Sequence, residues 1–260
     1  MPLRRLRLVP PRSIERDVVT LTLDDEQRID IQRVRDPRAK RVKLSVDERG
    51  ARLTLPPRVS LAAGQRFLDQ HRQWLSEQLA RYADDADLPA LVRGQTDALP
   101  LRGAMLPLEW RPARYAKLET VGQALVLQLP ARASGATLTR ALREFYEAQA
   151  RADVGRWLPA YLPGLPRAPA RLRLKVMSTQ WGSLSPDGSL TLDLSLVLGR
   201  PSAFEYVLVH ELCHLVHANH SKAFWDEVEL RFPAWREERD YFHAHGRQLK
   251  ARLRRLLLPE

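Results

Sequence analysis

The chain has 260 residues, 44% hydrophobic and 28% charged, with a formal net charge of +11 at pH 7 and a single cysteine. That balance suits a folded protein with a sizeable core rather than a disordered or fibrous chain. One cysteine, Cys213, excludes an internal disulfide and any cysteine-based metal cluster. The lack of any run of about 18 uncharged apolar residues argues against a membrane span.

In chain order, residues 1–17 are basic but lack the apolar stretch and small-residue cleavage site of a signal peptide. They are expected to form a flexible lead-in, and a cytoplasmic location fits the lone cysteine. VVTLTLD (Val18–Asp24), RIDIQRV (Arg28–Val34), KRVKLSVD (Lys40–Asp47) and ARLTLPP (Ala51–Pro57) alternate polar and apolar residues. With turn signals such as Asp47–Gly50 between them, they predict an antiparallel meander. A helix is expected from about Leu61 to Asp84, burying Phe67, Leu68, Trp74, Leu75 and Leu79. Ala98–Pro112 and Ala124–Pro130 read as a second group of strands, separated by Gly- and Pro-containing segments. A further helix is expected near Leu138–Leu162, with Leu142, Phe145, Tyr146 and Trp157 in the core. Ala170–Met177 and Ser189–Leu196 form a last strand pair, and everything after Ser202 reads as helix. No internal repeat is visible. The expected fold class is α+β: an antiparallel β-rich part with one helix over residues 18–135, then an α+β domain over 136–260.

The excess charge is mostly arginine, 36 of the 42 basic residues. Its one concentrated stripe is Arg247, Lys250, Arg252, Arg254 and Arg255, which reads equally as a solvated helix face. Any nucleic-acid binding carried by that stripe is expected to be weak and non-specific.

The chemistry-bearing segment is VLVHELCHLVHANHSKAFW, Val207–Trp225, with four of the seven histidines. Helical spacing puts Phe204, Leu208, Leu212 and Leu215 on one stripe and His210, His214 and His217 on another. His210 and His214, four apart, project one above the other and can share one Zn²⁺ ion, while Glu211 between them can reach water without being a ligand. Two ligands leave such a site incomplete. His217 stays on the helical stripe, His220 comes back over the site if the chain turns at Asn219, and Glu237 or Glu238 on a following helix is a further choice.

His210–Trp225, preceded by Tyr206–Val209, resembles the YgjP-like metallopeptidases, zinc-dependent hydrolases placed near the SprT-like zincins. Ser178–Leu198 is similar to the family's Trp-Gly-Ser strand region, and Asp36–Pro57 and Phe67–Leu79 to its N-terminal β section and helix. The likeness runs from about Val18 to Arg247. Gln180 and Leu184 stand where the family's strand has Arg and Cys, and Asp193 where it has Asn. The resemblance implies a zincin-like α+β domain with its metal site on the His-Glu-x-x-His helix. It implies one Zn²⁺ held by His210, His214 and His220, and Glu211 as general base. It also suggests that Trp181, Gly182, Ser183 and Tyr206 contact substrate. His220 rather than His217 is expected as third ligand, because three imidazoles in a row down one helix cannot surround a tetrahedral ion evenly. Peptides or proteins are the expected substrates, laid beside an edge strand near Trp181–Ser185. Tyr206, Tyr241 and His217 are the candidates for oxyanion support. Hydrolysis of a nucleoside triphosphate is the alternative, without a Walker-type loop to support it. A nucleic-acid-associated, SprT-like factor is the second alternative, and no membrane partner is expected.

Overall fold

The computed structural model describes residues 13–24, 26–47, 50–86 and 91–257. Most of the expected lead-in lies outside the described residues, as do Glu48 and Arg49 of the expected turn; the first strand already begins at Glu15. The chain divides into two compact units, residues 1–87 and 88–260. The boundary expected near residue 135 falls inside the second unit, at the start of its first helix.

Unit 1 holds β1 (Glu15–Thr22), β2 (Arg28–Arg35), β3 (Lys43–Asp47), β4 (Gly50–Leu55), α1 (Leu61–Gln70) and α2 (Arg72–Ala86). The expected single helix is therefore two, separated at His71. The His71 amide bonds back to Leu68, three residues away, and its ring Nδ1 donates to the Phe67 carbonyl at 2.7 Å. The strand order is β1-β2-β4-β3, with β2 and β4 parallel and the other pairs antiparallel. The expected all-antiparallel meander is thus corrected. Burial gives the reason. β4 carries Ala51, Leu53 and Leu55, all buried, whereas Lys43, Leu44, Ser45 and Val46 of β3 are at most half-buried. The more apolar strand takes the centre and the more polar one the edge. The core of this unit is Leu21, Leu23, Ile31, Ala51, Leu53, Leu55, Leu68 and Leu75.

Unit 2 opens with β5 (Ala98–Leu101), β6 (Ala104–Pro112), β7 (Lys117–Val121) and β8 (Ala124–Leu129). Their order is β5-β6-β8-β7, again with the second and fourth strands parallel. The same logic applies, since β8 buries Leu125, Val126, Leu127 and Leu129 while β7 buries only Leu118. The two sheets share one topology although no sequence repeat reveals it. α3 (Gly135–Tyr161) follows, its Ser134 side chain accepting the Thr137 amide as N-cap. A three-stranded sheet comes next: β9 (Arg171–Lys175), β10 (Gly182–Leu184) and β11 (Ser189–Asp193), in the order β10-β11-β9. β9 and β11 are the expected pair, running parallel, and the short β10 forms the edge. After a 3₁₀ turn at Leu194–Leu198 come α4 (Pro201–Cys213), α5 (Lys222–Arg231) and α6 (Trp235–Leu256). Among the described residues, no helix is long and apolar enough to cross a membrane.

Candidate active site

α4 is buried almost all round, with Ala203, Phe204, Tyr206, Val207, Leu208, Val209, Leu212 and Cys213 enclosed. Its large charged or imidazole side chains are Glu205, which accepts from the Tyr161 hydroxyl at 2.8 Å, and His210 and Glu211 near its end. The helix stops at Cys213, with His214 as its C-cap. There the turn tightens: the Leu215 amide bonds Leu212 at 2.9 Å and the Val216 amide bonds Cys213 at 3.0 Å. The His217 amide still bonds the Cys213 carbonyl at 2.9 Å, but residue 217 lies beyond the end of the helix, and the chain turns before Asn219.

Asn219 and Ser221 then set up α5. The Asn219 side chain accepts the Ser221 amide at 3.2 Å, and the Ser221 hydroxyl caps α5 by accepting from Phe224. Phe224 is fully buried and packs against the rings of His210, His214 and His220, at centroid distances of 5.0, 4.6 and 4.7 Å. Trp225 lies parallel to His220 and stacks on Trp235 of α6. These contacts return His220 over the end of α4.

One nitrogen from each of His210, His214 and His220 falls within 4.8 Å of the others, the three-residue group of this kind among the described residues. The Nε2 atoms of His210 and His220 face each other at 3.0 Å. Two lone pairs so close repel unless a proton or a cation lies between them. His214 Nδ1 lies 3.1 Å from the His217 carbonyl, which can only accept. The proton therefore sits on Nδ1, and Nε2 presents its lone pair. His210 Nδ1 is buried without a hydrogen-bond partner, a cost of about 1–3 kcal/mol that the fold bears at this position. Burial, followed by the neighbouring His214 and His220, lowers the His210 pKa to about 3, and burial lowers that of His214. Neutral rings are the form that binds metal. Nitrogens held about 2.0–2.1 Å from a tetrahedral zinc stand roughly 3.3 Å apart, so this donor set fits such an ion.

Glu211 is only 6% exposed. Burial raises its pKa to about 7. Its carboxyl lies against the backbone of Gly182: a Cβ there would meet Glu211 Cγ and Oε1 at 2.7 Å each. Gly182 is thus required by close approach, as a glycine within a strand suggests.

These groups line a cleft of about 970 Å³. Trp181, Gly182 and Ser183 form one wall beside β10, and Tyr206, one turn before His210, lines another. The Tyr206 ring meets His210 edge-on at 5.9 Å, and burial pushes its phenol up to about 12. The other oxyanion candidates fall elsewhere. Tyr241 lies under the Arg200 guanidinium, and His217 is absent from the lining. Glu238 is buried in an ion pair with Arg200 at 2.7 Å, and Glu237 is likewise outside the cleft. The sequence reading missed Arg167, Arg239, Phe242 and His243, which also line it. Arg239, Phe242 and His243 share one face of α6 by their spacing of three and four, a signal present in the sequence but without direction until α6 is docked.

A comparison with curated proteins returns no match. Among solved structures, the chain is similar to the metallopeptidase zymogen of Pyrococcus abyssi, abylysin, at 24% identity and a TM-score of 0.31, covering 39% of this chain and 95% of that one. The profile of the YgjP-like metallopeptidase domain matches residues 40–245, a span that takes in the three histidines, Glu211 and Gly182. With most of its length matched, the chain belongs to the YgjP-like family of metallopeptidase domains, a family of metal-dependent hydrolases.

Proposed function

We propose that this protein is a zinc-dependent peptidase in which His210, His214 and His220 hold one Zn²⁺ and Glu211 is the general base. The observation that carries the reading is the convergence of three imidazole nitrogens within 4.8 Å, beside a buried carboxyl, in the wall of one cleft. When bound, the ion would supply Lewis acidity, polarising a carbonyl oxygen and making water more acidic. Glu211 accepts the proton of the attacking water on a carboxylate oxygen and passes it to the departing amide nitrogen. Gly182 leaves room for that carboxyl, and the Phe224 and Trp225 rings hold the histidines. β10 lies at the edge of its sheet, so the backbone groups on its outer side are open to an extended peptide. Tyr206 lines the cleft, and its hydroxyl, protonated at neutral pH, would donate to the developing oxyanion.

The test pairs metal analysis with peptide turnover for Glu211→Gln. The amide keeps shape and leaves the three histidines intact, so the metal content is expected to match the native protein while turnover falls about 10²–10⁴-fold. Native-like turnover in the metal-loaded variant would remove Glu211 from this role.

A further inference from the structure

We propose that the cleft selects peptides with acidic side chains, Arg239 receiving one carboxylate beside the scissile bond and Arg167 a second about three to four residues away. This rests on the reading of the cleft as a peptidase site and names its substrate class.

The cleft's lining includes Arg167, Arg239 and four histidines but only one carboxylic acid, Glu211. Elsewhere in the same unit, arginines sit on acids: Arg102 and Arg156 on Asp153, Arg200 on Glu238, Arg231 on Glu227. Arg167 and Arg239 have no such partner among the described residues. In a chain of net charge +11 an unpaired arginine is ordinary, so the argument rests on how these two are held.

Arg239 projects from α6 over the ring of Trp225, with its guanidinium carbon 6.0 Å from the centroid. Trp225 in turn lies parallel to His220, 5.8 Å away. Trp225 also lies 5.8 Å from the His210 ring, and Arg239 lines the same cleft. It is therefore directed to the part of the cleft where the histidines converge. Arg167 is held by a 2.8 Å hydrogen bond from Nη2 to the Pro186 carbonyl, in the turn after β10. Gly182 lies beside Glu211, and Pro186 is four residues further along. At roughly 3.3 Å per residue, a peptide extended along β10 would bring its third or fourth residue from the reacting bond to Arg167.

Each anchor leaves part of the guanidinium fork free. A planar fork with unused N–H groups matches a carboxylate in two-point geometry, which a lysine could not offer.

The experiment uses the full-length, zinc-loaded protein and peptides blocked at both ends, with Asp or Glu compared against Asn or Gln at each position. Acidic peptides are expected to show kcat/KM about tenfold higher per contact, the scale of one charge-assisted hydrogen bond. Arg239→Glu should reverse the preference next to the cleaved bond, and Arg167→Glu the preference three to four residues away. Arg167→Gln should abolish the latter without reversing it. Arg140, exposed on α3 and outside the cleft, is the control: Arg140→Glu should leave both preferences unchanged. Calorimetric binding of the same peptides to the Glu211→Gln protein gives a readout independent of turnover and should follow the same order. Equal cleavage of acidic and amide peptides would overturn the inference alone. So would a preference lowered equally by Arg140→Glu. Hydrolysis of nucleoside triphosphates with no cleavage or binding of any peptide would instead overturn the peptidase reading, and this inference with it.

Discussion

His217 and His220 differ by three positions, yet they take opposite places around the cluster. α4 ends at Cys213, before His217, whose ring is outside the cluster and whose backbone carbonyl meets His214 Nδ1. His217→Ala keeps that carbonyl, so zinc affinity measured by competition with a chelator should hardly change. His220→Ala removes a nitrogen of the proposed triad and should weaken zinc binding by more than the roughly 10–100-fold that losing an outer partner costs. The reverse ranking would exclude His220 as a ligand. Gly182 is equally consequential. Its missing Cβ is the space that the Glu211 carboxyl fills. Gly182→Ala must displace the carboxyl or the strand, with an overpacking cost of about 1–3 kcal/mol in unfolding experiments. A shift of about 1 Å at a catalytic group can cost 10²-fold, so turnover should fall further than stability explains. A Gly182→Ala variant with native turnover would show that the carboxyl moves aside at no cost.

Among the elements, α6 departs most from its sequence pattern. The basic stripe expected to be solvated is interrupted, because Lys250 is only 9% exposed. Its Nζ donates to the Gln180 carbonyl at 2.8 Å, to Asp193 Oδ2 at 3.0 Å and to the Met177 carbonyl at 3.1 Å. It also lies 4.1 Å from the centroid of the Trp181 ring, which packs on Gly246. Arg254 donates to the same Met177 carbonyl. Asp193, where the family resemblance led to asparagine, is 1% exposed and accepts from the Met177 and Ser195 amides as well. Burial lowers the Lys250 pKa while the Asp193 charge opposes that shift. Lys250→Met would leave the Asp193 carboxylate buried without its counter-charge, a loss of about 3–5 kcal/mol. Adding Asp193→Asn removes that charge and should recover most of the loss, measured by denaturant unfolding. Equal stability of the single and double variants would show that the ion pair is not the source. The segment thus tied leads directly into β10, so the C-terminal helix helps fix the wall of the cleft.

At the scale of the whole molecule, each unit has its own core, and all three histidines of the cluster lie in unit 2. Zinc at a hundredfold excess over its Kd should stabilise the fold that holds it by about 2.7 kcal/mol, by mass action. Hydrogen exchange should report this as slowed opening of α4 and α5, which carry or flank the proposed ligands, and a chelator should reverse it. Exchange in those helices that ignores both zinc and chelator would argue against a metal centre there. Each unit also builds a sheet in which the second and fourth strands run parallel. Neither the duplication nor the polarity was legible in the sequence, because periodicity reports which face of a strand is apolar and not which strand lies beside it.

What the sequence determined by itself is what depends on neighbours a few residues apart. The alternation of Val18–Asp24 and Ala51–Pro57 made strands, and the spacing of His210, Glu211 and His214 put two imidazoles and a carboxyl at one helix end, since helical geometry alone dictates that placement. The histidine at 220 was legible as a candidate from its distance beyond Asn219 and from family resemblance, though not the route by which the chain returned. Only the tertiary structure decided the rest. Packing of Phe224 and Trp225 fixed where His220 lies. Docking of α6 turned Arg239, Phe242 and His243 into the cleft and Lys250 into the interior. The approach of β10 to α4 gave Gly182 its purpose. Each of these joins residues far apart in the chain, and burial of apolar surface, which sets such contacts, has no preferred direction until the partner surface exists.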